Sequence, residues 1–93
     1  MRRAAKTDTN QSSIVSGLRA IFGPDCVMDL SAVGQGCPDL AVGIRGKTLF
    51  MEIKTKTGKL TVDQQIWHRN WDGHVAIITT LQEALDVIER ETT

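Results

Sequence analysis

At 93 residues the chain amounts to one domain, large enough for a single hydrophobic core with little area to spare. Its 41% apolar and 24% charged residues are ordinary for a globular protein, and no apolar run approaches the roughly 18 residues needed to span a bilayer. A formal net charge of zero excludes a uniformly basic nucleic-acid-binding chain.

The first ten residues read as a flexible segment, basic at Met1 to Lys6 and then polar, with no apolar core of a signal peptide. Residues 11–90 read as a single domain. A helix is expected over 11–22, with Ile14, Leu18, Ile21 and Phe22 on one stripe, Asp8 as its N-cap and Gly23-Pro24 as its stop. Cys26 to Leu30 reads as a short strand, and Ser31 to Cys37 as a mobile loop with two glycines. Cys26 and Cys37 lack metal-site spacing and read as reduced thiols, consistent with a cytoplasmic setting.

Leu40, Val42 and Ile44 then alternate with Ala41 and Gly43, and Leu49, Met51 and Ile53 alternate with Phe50 and Glu52. Both runs have the period of half-buried strands. A two-residue Gly46-Lys47 loop in a type II′ turn would pair Ile44 with Leu49, Val42 with Met51 and Leu40 with Ile53, matching apolar residues on one face. On the other face Asp39 would lie across from Lys54 and diagonal to Glu52, with Cβ atoms roughly 7 Å apart. Two carboxylates so placed suit a shared divalent ion, with Ala41 and Gly43 leaving space beside them. The plain alternative is a solvated polar face that happens to carry Asp, Glu and Lys.

After the hairpin, Thr55 to Lys59 reads as a loop. Thr61 and Gln64 form a capping box opening a helix to about Trp71, Val75 to Thr79 reads as a strand, and Thr80 and Glu83 open a last helix with Leu81, Leu85 and Ile88 inward. The order αβββαβα predicts an α/β chain with a mixed sheet and helices packed against it. Between Arg45 and Lys59 there are five basic residues and one acidic one. That basic stretch reads either as a nucleic-acid contact or as a solvated lysine-rich loop. Trp67 and Trp71, one turn apart, read as buried against the sheet, stacked on an unpaired base, or part of a dimer seam. His68 and His74 are isolated histidines.

The ordered set Gly36-Cys37-Pro38-Asp39-Leu40, Met51-Glu52-Ile53-Lys54, Leu60-Thr61 with Gln64 and Trp67, His74 to Ile78, and Glu83-Ala84 resembles the PD-(D/E)xK nuclease superfamily. More narrowly it is similar to stand-alone VRR-Nuc domains with the restriction-endonuclease-like core. The resemblance implies a divalent-metal-dependent endodeoxyribonuclease using Mg2+ or Mn2+. Asp39, Glu52 and the Ile53 carbonyl would be metal ligands. Lys54 would activate water, and Gln64 would line the site. The family's first-helix glutamate has no match here, the nearest positions being Gln11 and Asp8, so the resemblance implies a weakly held second metal, substitution by Asp8, or loss of this ligand. Arg45, Lys47, Lys56 and Lys59 would contact DNA. A homodimer acting on branched DNA such as Holliday junctions or flaps is expected, in the cytoplasm of a bacterial or phage-infected cell. The competing expectation, supported by Gln11, is a DNA-binding module that keeps the fold without turnover.

Overall fold

A computed structural model describes residues 8–93. Helix α1 spans Asp8–Phe22, starting three residues earlier than expected, so Asp8 lies within the helix and not outside it as a cap. Of the segment expected to be flexible, residues 8–10 are therefore the first turn of α1, and residues 1–7 lie outside the described residues. Ile14, Val15 and Leu18 are buried and Phe22 packs partly against the core, while Ile21 is exposed, so Val15 takes its place in the buried stripe. A 3-10 turn at Pro24–Cys26 leads to β1 (Val27–Asp29). Then follow β2 (Leu40–Ile44), β3 (Lys47–Ile53), α2 (Val62–Asn70), β4 (Val75–Ile78) and α3 (Leu81–Thr92). The strands form one mixed sheet in the order β1-β2-β3-β4, antiparallel except for the parallel β3–β4 pair. This is the αβββαβα, α+β architecture expected. Among the described residues no helix is long and apolar enough to cross a membrane.

The hairpin register differs from the expected one by two residues. Leu40 pairs with Met51, Val42 with Leu49 and Ile44 with Lys47. The loop is therefore Arg45-Gly46, and both residues have positive φ, 53° and 81°, as a type I′ turn requires. Glycine occupies the second loop position, not the first. Because the slip is even, every side chain keeps its face, and the apolar set still points one way.

That apolar face carries Leu40, Val42, Ile44, Leu49, Met51 and Ile53, packed under α1 and α3 with Ala84, Val87 and Ile88 in one cluster. Thr80 caps α3 by accepting from the Glu83 N–H, while Glu83 reaches back to the Thr79 N–H at 2.6 Å, one residue earlier than a capping box would have it. The crossover from β3 to β4 carries α2 to the opposite face, where Phe50 meets Trp67 and Trp71 edge-on. The face expected to be solvated is thus roofed over Phe50 and Glu52, which is buried at 1% exposure, while Gly43 on the same face stays exposed.

Candidate active site

Continuing the observed register one residue beyond Leu40 sets Asp39 directly opposite Glu52, not opposite Lys54. Direct partners on one face have Cβ atoms about 4.5–5.5 Å apart, closer than the expected diagonal. Asp39 sits just before β2, and its position is fixed from both neighbouring strands. Its carbonyl accepts from Leu30 N–H at 2.7 Å, and its Oδ2 accepts from Ile53 N–H at 2.8 Å. The carboxylate thereby supplies β3 with an acceptor just beyond the start of β2. The Ile53 main chain engages the pair through this N–H.

Glu52 faces this carboxylate from within the protein. Its Oε2 accepts from Gln64 Nε2 at 2.9 Å and lies 3.8 Å from Lys54 Nζ. Its Oε1 is buried with no hydrogen-bond partner. Burial, followed by the negative charge of Asp39, pushes the Glu52 carboxyl from its ordinary value near 4.5 up to about 8, against the pull of the Lys54 ammonium. A carboxyl held this way keeps its proton to higher pH than a free one, and a cation bound there would displace that proton.

Gln64 both caps α2 and reaches the carboxylate pair. Its Oε1 accepts from Thr61 N–H at 2.9 Å and Thr61 Oγ1 accepts from Gln64 N–H at 3.2 Å, closing the capping box of α2. The other end of the same amide donates to Glu52. One side chain satisfies both because its acceptor and its donor point to opposite neighbours.

Gln11 is not brought to the pair. Its Nε2 reaches Asp29 Oδ1 at 3.4 Å, and Asp29 also accepts from Ser31 N–H and Oγ. From α1, Asn10 donates to Lys54 O at 3.4 Å and Thr79 O at 3.3 Å. For Asp8, only its place in the first turn of α1 is described.

The four cations assigned to DNA contacts are divided between two ends of the sheet. Arg45 Nη1 donates to Thr92 Oγ1 at 2.7 Å and Lys47 Nζ to Glu91 O at 2.9 Å, tying the hairpin turn to the end of α3. Lys56 and Lys59 are exposed on the loop after β3, at the carboxylate end. The seven residues of β3 separate the two groups by roughly 20 Å at about 3.3 Å per residue. The basic stretch therefore does not form one patch on this chain.

Two groups near the pair went unassigned in the sequence. The Cys37 thiol is pushed up by burial and by the charges of Glu52 and Asp39, and the His68 imidazole is held down by burial and by Lys54. The signal for Cys37 was its position two residues before Asp39. For His68 it was the spacing of one helical turn from Gln64.

The donor set at the pair is two carboxylates, and among the described residues no group of three His, Cys, Asp or Glu gathers. Mg2+ is characteristically held by one or two carboxylates with waters and substrate phosphate completing its shell, so two oxygen donors and an orphaned Glu52 Oε1 fit it. No family profile, curated protein or solved structure matches the chain.

Proposed function

We propose that the chain is a divalent-metal-dependent endonuclease of the VRR-Nuc type, hydrolysing phosphodiester bonds in branched DNA. The observation that carries this reading is the opposed Asp39–Glu52 pair, with the Lys54 ammonium 3.8 Å from Glu52 and an unpartnered, buried Glu52 Oε1. Burying a carboxyl next to a second one is costly unless something compensates it. Such expense is expected where a cation must be held rather than where a fold must be stabilised.

Asp39 and Glu52 would hold Mg2+ or Mn2+. Bound there, the ion would neutralise phosphate charge and lower the pKa of a coordinated water. Gln64 fixes the Glu52 carboxylate through a rigid, capped helix start, and Lys54 places a positive charge where the attacked phosphate gains negative charge. Lys56 and Lys59 would follow the incoming backbone. A homodimer would present two such sites to one junction with C₂-related geometry.

Cleavage of a flap or four-way junction by the purified chain tests this reading. It should require Mg2+ or Mn2+, stop in excess chelator, and fall to background in Asp39→Ala. Calcium should support binding with little turnover, because its looser shell positions water poorly. Undiminished cleavage in chelator would refute the proposal. The reading of a DNA-binding module without turnover draws on Gln11, whose side chain is committed to Asp29, leaving two carboxylates at the site. Binding without cleavage in either metal would select it.

A further inference from the structure

Beside the carboxylate pair lies an open cleft of about 260 Å³ between α2 and the loop preceding Cys37, lined by Gln35, Asp63, Ile66, Trp67, Asn70 and Trp71. Asp63, Ile66, Trp67 and Asn70 fall at i, i+3, i+4 and i+7, one stripe of α2, and Trp71 follows as its C-cap. The opposite wall is held against the helix. Gly36 has φ +84°, and a Cβ there would overlap the Asp63 carbonyl, so loop and helix start are in backbone contact.

The aromatic floor of the cleft is rigid yet incompletely covered. Trp67 and Trp71 stack with centroids 4.8 Å apart and planes 17° from parallel, and both rest edge-on against Phe50. Trp71 Nε1 donates to His74 O at 3.3 Å, which fixes that ring. Trp71 nevertheless remains 39% exposed and Ile66 41% exposed. Packing against the sheet accounts for the buried edges of the indoles but not for the apolar surface left open beside two amides and a carboxylate.

Flat apolar walls with amide donors and acceptors, and no Lys or Arg among the lining residues, suit a heterocycle with a hydrogen-bonding edge. They do not suit a phosphate. Phe50 and Glu52 are two residues apart on the same face of β3, roughly 6–7 Å. Building on the nuclease reading, we propose that this cleft receives one unpaired nucleobase of the DNA strand, a nucleotide or two from the phosphate at Glu52 and Lys54. A base still paired in a duplex has its hydrogen-bonding edge occupied and its faces covered, so the cleft selects flaps and junction arms over uniform duplex.

Trp67 and Trp71 are the chain's two tryptophans, so intrinsic fluorescence reads the cleft directly. The intact chain is titrated in calcium with a single-stranded oligodeoxynucleotide, its duplex, and an abasic oligomer of the same phosphate number. The single strand should quench the emission at least tenfold more tightly than the duplex, and the abasic oligomer should bind without quenching. Ile66→Glu, which places a carboxylate at the exposed mouth without touching the Phe50 contact, should weaken single-strand binding roughly 5- to 100-fold, the range for loss of one base stack. Trp71→Phe should retain part of it. Equal quenching by duplex or abasic oligomer, or wild-type affinity in Ile66→Glu, would overturn the proposal even if metal-dependent cleavage is found. Base-dependent quenching with no cleavage in Mg2+ or Mn2+ would uphold the cleft and remove the nuclease reading instead.

Discussion

On the face of the sheet beneath α1 and α3, Leu18, Leu40, Val42 and Met51 are completely buried in an almost wholly apolar cluster with Phe22 at its edge. On the face beneath α2, the strands offer Ala41, Gly43, Phe50 and Glu52, and the roof is a nine-residue helix with no buried residue of its own. The first face gains stability from apolar area removed from water. The second face removes a carboxyl from water and leaves an aromatic cleft half open, which lowers stability. Fold and site are thus assigned to opposite sides of the same four strands, and the β3 alternation serves both at once.

Substitution should separate the two faces most sharply. Asp39→Ala and Lys54→Ala are expected to abolish cleavage with the fold retained, Lys54→Ala within a few degrees of the wild-type unfolding temperature and Asp39→Ala lower by the lost acceptor for the Ile53 N–H. Leu18→Ala should do the reverse, costing about 2–5 kcal/mol through the cavity it leaves. Calorimetry and a junction-cleavage assay on the same preparations measure both. Wild-type cleavage in Asp39→Ala would remove the site from this face.

The buried carboxyl makes a second difference that needs no assumption about substrate. The unfolded chain releases the Glu52 proton near its ordinary 4.5, whereas the folded chain keeps it to about 8. Between these values the folded state binds more protons than the unfolded one, so stability should fall as pH rises from about 5 to 8 in chelator. Glu52→Gln should flatten this fall and be the more stable protein at pH 8. Metal binding must displace the same proton, so metal affinity should rise with pH over that window. A melting profile unchanged by Glu52→Gln would show that the carboxyl is not held in this way.

The aliphatic face was legible in the sequence because period-two alternation specifies which side each residue takes. It does not specify register to better than an even slip, since a two-residue shift leaves every side chain on its face. The turn carried the missing information, and Arg45 at φ 53° is a rare choice that composition gives no reason to expect. The roofed face was hidden for a different reason. Asp39 and Glu52 look solvated, and only Phe50, in the same alternation as Glu52, signalled that α2 covers this end of the face, while Gly43 stays exposed. Gln64 was placed correctly at the helix start, but its second bond depends on a crossover that no local spacing reveals.

A smaller effect is expected from loosening the roof itself. Gln64→Ala removes one arm of the capping box and the donor to Glu52. Loss of a cap interaction costs about 0.5–2 kcal/mol. Second partners of metal-binding side chains typically change metal affinity 10- to 100-fold. Thr61→Ala, which removes the other arm of the cap and keeps the donor to Glu52, should lower stability without lowering metal affinity. An equal loss of affinity in both variants would mean that Gln64 acts on the site only through the helix.

The smallest effects should distinguish the two ends of the sheet. Lys47 donates to the Glu91 carbonyl, an acceptor at the α3 C-terminus, and Arg45 donates to Thr92, whose hydroxyl in turn donates to the Ile88 carbonyl at 2.6 Å. Cations there complement the unpaired carbonyls of a helix end, worth about 0.3–1 kcal/mol each. Lys47→Ala should therefore lower stability by that amount and leave DNA affinity nearly unchanged. Lys56 and Lys59, exposed at the carboxylate end, have no such structural tie among the hydrogen bonds of the described residues. Lys56→Ala and Lys59→Ala should leave the melting temperature unmoved, weaken DNA binding without regard to sequence, and each reduce the salt slope of binding by about one. If Lys47→Ala instead weakens DNA binding and Lys59→Ala does not, the DNA path runs over the hairpin turn, and the carboxylate end is not where the backbone enters.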